Sequence, residues 1–164
     1  MAVEMKKVFT IALRLLALAS TVVAIVVMVR SHDSAEVFNL TFTAKYSNTP
    51  AFKYFVIAEA VGGAYTVIVI FLYSKSILGR LIIILDTVIT VLLSSSISAA
   101  LAIAQVGKKG NSHAGWLPVC GQVPRFCDQA TISLIAGFVA AVVYFVLLLC
   151  SLHAVLTPIF AAKP

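Results

Sequence analysis

Charge is what this chain has least of. Lysine, arginine, aspartate and glutamate together make up 11% of its 164 residues, against 62% hydrophobic residues and a mean hydropathy of +1.08. No soluble domain of this size needs so much apolar surface, so the composition reads as an integral membrane protein. Cysteine is also scarce. Two of the three, Cys120 and Cys127, match neither a Cys-x-x-Cys redox motif nor a zinc-ligand pattern. Only three histidines occur, His32, His113 and His153, each on its own outside the apolar runs, and they form no metal set. Nucleophile–base constellations, phosphate-binding glycine loops and HExxH are missing. The reading is non-enzymatic, with no cofactor and no metal.

What the chain has instead is length in its apolar runs. Residues 8–29, 52–73, 81–103 and 132–152 each meet the requirement of about 20 residues for a helical membrane span. At about 1.5 Å per residue each covers roughly 32–35 Å. The expected fold is an all-α membrane protein, a single four-transmembrane helix bundle over residues 1–164. Its longer connections are 30–51 and 104–131, neither with room for a soluble catalytic domain. The first run resembles a signal peptide, since Lys6 and Lys7 precede it and Ala17-Leu18-Ala19 mimics a cleavage site. Arg14 interrupts the apolar core of such a signal, and the run continues well past Ala19, so it is expected to stay as a span. The net charge of +6 comes from cations scattered over all the connections. No basic patch or aromatic-interleaved stripe forms, which excludes nucleic acid as a partner.

Orientation follows from the flanks. Lys6, Lys7, Lys75, Arg80 and Lys163 are concentrated in the short segments of one side. Arg30, Lys45, Lys53, Lys108, Lys109 and Arg125 are spread over the longer connections of the other. The denser side is expected to be cytoplasmic, carrying both termini. Two features of the opposite side agree. Asn39-Leu40-Thr41 is an N-glycosylation sequon, and Cys120 and Cys127 are close enough to pair in an oxidising compartment. The resulting eight-residue ring contains Pro124 and shapes a loop that also carries Trp116 and the glycine-flanked segment Gly107-Lys108-Lys109-Gly110, expected to be flexible. That loop is either a structural staple or a recognition surface. Cys150, inside the fourth run, reads as a small packing residue.

Apart from Lys53 at the very start of the second run, three charged residues interrupt the apolar runs. Arg14 and Asp86 stand at nearly the same depth, roughly 8–9 Å in from the cytoplasmic end of the first and third spans. A lone charge at mid-span costs about 2.5–3.5 kcal/mol on insertion scales, and a pair removes most of that by meeting. A bidentate Arg–carboxylate contact suits the spacing. The pair is an interhelical clamp, a proton or ion relay, or a contact with a second protomer. Glu59, in the second run, lies about 12–15 Å from the Arg14 level, too far for direct pairing. It is a polar intramembrane site of the kind a proton-coupled transporter uses, although no inverted repeat accompanies it. Small residues recur every four positions at Ser94, Ser98 and Ala102, and again at Ser133, Gly137 and Ala141. Gly62-Gly63-Ala64 and the pair Ser20 and Ala24 add further small positions. Such rows mark faces where helices approach closely, and the serines could alternatively line a polar route.

At this point the chain resembles a known family, the plant Casparian strip membrane domain protein-like (CASP-like) proteins, related to the MARVEL four-span proteins. The resemblance spans nearly the whole chain. It rests on Arg14, on Asp86 in Leu81-Ile82-Ile83-Ile84-Leu85-Asp86, and on Gly107-Lys108-Lys109-Gly110-Asn111-Ser112-His113 followed by Trp116, Cys120 and Phe126-Cys127. This loop points to the first CASP-like subgroup. The stretch from Ala44 to Phe52 looks like the family's entry into its second span. Ser47-Asn48-Thr49-Pro50-Ala51-Phe52-Lys53-Tyr54-Phe55 lacks the segment that marks the Casparian strip proteins proper. The resemblance implies a plasma-membrane scaffold, a homodimer or higher homo-oligomer that also joins related four-span proteins, embedded in the bilayer and recruiting secreted wall-modifying enzymes. The other reading is a small proton-coupled transporter or channel using Glu59 and Asp86.

Overall fold

A computed structural model describes residues 2–37, 40–72 and 79–161. Four long helices dominate it: α1 (Ala2–Arg30), α2 (Pro50–Leu72), α3 (Gly79–Lys109) and α4 (Pro124–Ala161). All four are long and apolar enough to cross a membrane. The protein is a four-helix membrane protein. α1, α3 and α4 contain their apolar runs and outlast them at both ends, and α2 starts two residues before its own, because helix ends are set by caps and turns while hydropathy marks only the lipid-matched part. Pro50 and Pro124 open α2 and α4, where a missing N–H costs no intrahelical bond. At the end of α3, Gly110 takes a left-handed conformation (φ 70°) and its N–H reaches the Val106 carbonyl at 2.7 Å. Gly107, Lys108 and Lys109 are therefore the last turn of a helix, where two cations favour the negative dipole end. They are not a flexible loop, and the 104–131 connection shrinks to residues 110–123.

The 30–51 connection holds a structure of its own. Strands β1 (His32–Val37) and β2 (Leu40–Lys45) form an antiparallel hairpin pairing His32 with Lys45 and Val37 with Leu40. Both strands are short and carry charges (Asp33, Glu36, Lys45), which keeps their open edges from pairing with another chain. β1 rests on α4.

Around the bundle, α1 packs on α2 and α4, and α3 packs on the same two helices. Neighbours in sequence are thus neighbours in space, and α1–α3 and α2–α4 are the two diagonals. The inward stripes repeat every three and four residues. α1 buries Arg14, Ala17, Thr21, Ala24 and Met28; α4 buries Phe126, Ala130, Ser133, Gly137, Ala140, Tyr144 and Leu147. This is the knobs-into-holes spacing of antiparallel bundles. Most of these residues are small, which lets backbones approach where no hydrophobic drive separates helix from lipid. The outward faces are apolar, with Leu15, Val22, Ile57, Ile68, Val88, Val91, Ile135 and Phe145 all exposed.

Candidate functional site

The structure brings Arg14 and Asp86 together across the α1–α3 diagonal. Nη2 of Arg14 donates to both carboxylate oxygens, at 3.1 Å to Oδ1 and 2.9 Å to Oδ2. The contact is therefore made by one guanidinium nitrogen rather than by a two-nitrogen fork. Both side chains are fully enclosed, at 2% and 0% exposure. α2 closes the site with Tyr65. Its hydroxyl donates to Oδ1 of Asp86 at 2.7 Å and lies 3.2 Å from the Ile82 carbonyl. Its ring centroid is 5.9 Å from the Arg14 guanidinium carbon, a cation–π distance. One carboxylate thus holds three helices at one level.

The α2–α4 diagonal closes at other levels. Tyr144 donates to the Gly62 carbonyl at 2.5 Å, and its oxygen hydrogen-bonds the Thr66 hydroxyl. Further along α2, Phe55 and Glu59 lie against Gly137 of α4. Glu59 is 0% exposed, and neither carboxyl oxygen has a hydrogen-bond partner among the described residues. Nε and Nη1 of Arg14 are in the same condition. Ser133 adds a bond between neighbours, donating to the Ala24 carbonyl of α1 at 2.6 Å. The polar interior therefore contains Tyr65, Thr66 and Tyr144 beside the two acids and the arginine. Reasoning from the sequence missed these three. Tyr144 carried a faint signal, since it continues the inward spacing of Ser133, Gly137 and Ala140.

At the hairpin end of the bundle, Cys120 and Cys127 form a disulfide with Cα atoms 5.7 Å apart. Val119 and Cys120 donate to the Gly107 carbonyl at 2.9 and 3.1 Å, supplying partners to an acceptor that the end of α3 leaves open. The Asn111 side chain accepts from the N–H groups of His113 and Ala114. Gly115 takes a second left-handed turn, and Asn111 pairs with Trp116. Trp116 is 58% exposed. Asn39 lies outside the described residues. Cys150 is exposed on α4, not packed inside. The two small-residue rows part company as well. Ser133, Gly137 and Ala141 face the bundle interior, whereas Ser94, Ser98 and Ala102 face outward.

Fold and site together define a four-span membrane protein built around an intramembrane arginine–aspartate pair, with a disulfide loop at the hairpin end. The Casparian strip membrane protein domain matches residues 4–143. The chain is 80% identical to CASP-like protein 1C2 of Ricinus communis over the full length of both. It is 59% identical to CASP-like protein 1C1 of Vitis vinifera, over 94% of this chain and 98% of that one. With CASP-like protein 1C1 of Arabidopsis thaliana it shares 53% identity over 96% of each. The chain belongs to the CASP-like family, in its first subgroup. No solved structure matches it.

Proposed function

We propose that this protein is a non-enzymatic scaffold of the plasma membrane with both termini in the cytoplasm. It assembles with copies of itself and with related four-span proteins, and offers its disulfide loop and Trp116 to partners that modify the cell wall. The observation carrying this reading is the outward face of α3. Ser94, Ser98 and Ala102 form a small-residue row on a surface otherwise turned to lipid. The Ser98 hydroxyl is bonded back to the Ser94 carbonyl at 2.7 Å, so that hydroxyl is satisfied within its own helix. Ser94 and Ser98 also form part of the wall of a groove of about 250 Å³ between α3 and α4, together with Ile97, Phe138 and Phe145. A groove walled partly by small residues is a surface on which a second helix packs closely. The disulfide supports the orientation, since it needs an oxidising compartment.

The test is photobleaching of the tagged protein at the plasma membrane, comparing wild type with Ser94→Leu/Ser98→Leu. Slow, incomplete recovery in stable patches, turned fast and complete by the leucines, is the expected result. Fast recovery from a uniform distribution in the wild type would sink the scaffold. A second reading, transport of protons through the bundle, rests on Glu59 and its two unpartnered oxygens. Asp86 offers it little, being held by Arg14 and Tyr65. Proton flux in proteoliposomes that Glu59→Gln abolishes would move this reading to the front.

A further inference from the structure

One cavity lies at the hairpin end, away from the charge pair. Its volume is about 920 Å³, at the upper end of the roughly 300–1,000 Å³ usual for small-molecule sites. Its walls come from the hairpin, the first turn of α2, the last turns of α3, the disulfide loop and the first turns of α4. It therefore straddles the level where the apolar stretches of α3 and α4 give way to polar residues. One part is lined by Phe52, Ala104, Phe126 and Ala130. The Phe52 and Phe126 rings meet edge to face, with centroids 6.0 Å apart. Three charged residues complete the lining: Lys45 at the end of β2, Lys108 at the end of α3, and Asp128 in α4.

We infer that this cavity holds one zwitterionic phospholipid from the leaflet on the hairpin side. An acyl chain occupies the apolar part. The phosphate sits with Lys45 and Lys108, and the headgroup ammonium faces Asp128. Two cations and one acid complement a headgroup with a phosphate and an ammonium. They fit an uncharged diacylglycerol less well, since it leaves all three without counter-charges. An apolar cavity of this size at headgroup depth is in contact with lipid, so an acyl chain passes into it from the bilayer without crossing water. The inference stands apart from the scaffold reading and does not depend on which side of the membrane the hairpin faces.

The experiment is native mass spectrometry of the full-length protein, stripped of lipid in detergent. It is then offered phosphatidylcholine or a diacylglycerol with the same chains. One phosphatidylcholine per protomer should survive collision energies that remove the diacylglycerol. Ala104→Trp, which fills the apolar part, should lower retention at least tenfold, and Lys45→Ala/Lys108→Ala severalfold. Resistance of Cys120 and Cys127 to alkylation shows that each variant keeps its outer fold. Should the tryptophan variant fail that check, the lysine pair decides, because both residues are exposed and remote from the helix core. Equal retention of the two lipids by the wild type, or wild-type retention by the lysine variant, would overturn the assignment.

Discussion

Tyr65 and Asp86 are joined by a 2.7 Å hydrogen bond from the phenol to Oδ1, the same oxygen that lies 3.1 Å from Nη2 of Arg14. Asp86 is thus the shared acceptor of two donors on two other helices, and losing it differs in kind from losing either donor. Asp86→Asn leaves the Arg14 charge buried without compensation, which costs about 3–5 kcal/mol. Tyr65→Phe removes one interhelical bond, worth about 0.6 and at most ~1.7 kcal/mol. Replacing both charges, as in Arg14→Leu/Asp86→Leu, should recover most of the Asp86→Asn loss, because no unpaired charge remains. Unfolding midpoints in mixed detergent give this order. An Asp86→Asn midpoint no lower than that of Tyr65→Phe would show that the pair does not clamp the bundle.

The contact of α2 with α4 rests on a missing methyl group. A Cβ added at Gly137 would fall 2.5 Å from Cε2 and Cζ of Phe55 and 2.9 Å from Oε1 of Glu59. No rotation of a stiff aromatic ring clears both carbons, so Gly137→Ala should destabilise by about 1–3 kcal/mol through overpacking. Gly62 is the internal control. A methyl group there meets the Leu93 side chain at 3.4 Å, an ordinary contact, and alanine favours the helix over glycine by up to ~1 kcal/mol. Gly62→Ala should therefore be neutral or slightly stabilising on the same assay. Phe55→Leu should relieve the Gly137→Ala variant, and failure to do so would place the strain elsewhere.

How much of this was legible beforehand depended on whether the membrane penalises the residue. Arg14 and Asp86 stood out because unpaired charges are costly in lipid, and their equal depth left one cheap solution. Tyr65 and Tyr144 did not, because an aromatic ring in an apolar run reads as hydrophobic filling and its hydroxyl partner lies on another helix. The outward turn of Ser94 and Ser98 was hidden for a related reason. In a soluble bundle the polar face identifies itself, but here inner and outer faces are both apolar, so size patterns show close approach without saying to what. The hairpin was missed because β1 has Val37 as its one β-branched residue and no aromatic one, so the strand-like Thr41, Phe42 and Thr43 of β2 had no partner with a matching pattern. The helix ends beyond the apolar runs did leave signals, in Gly110 and Pro124, which hydropathy outweighed.

Trp116 is the chain's single tryptophan, and its place between the end of α3 and the disulfide makes it a reporter for the outer loop. Three devices hold that loop: the bridge to Cys127, the bonds from Val119 and Cys120 to the Gly107 carbonyl, and the pairing of Asn111 with Trp116. Closing so small a ring contributes about 2.5 kcal/mol in the chain-entropy account. Cys120→Ser/Cys127→Ser should accordingly shift the denaturant transition followed by Trp116 fluorescence to lower concentration. The transition followed by helical circular dichroism should stay in place, because the bundle core lies below the loop. Coincident transitions in both proteins would mean that loop and bundle unfold as one unit. A separated fluorescence transition in the variant alone would show that the disulfide couples them, the Gly107 bonds being too few to do so by themselves.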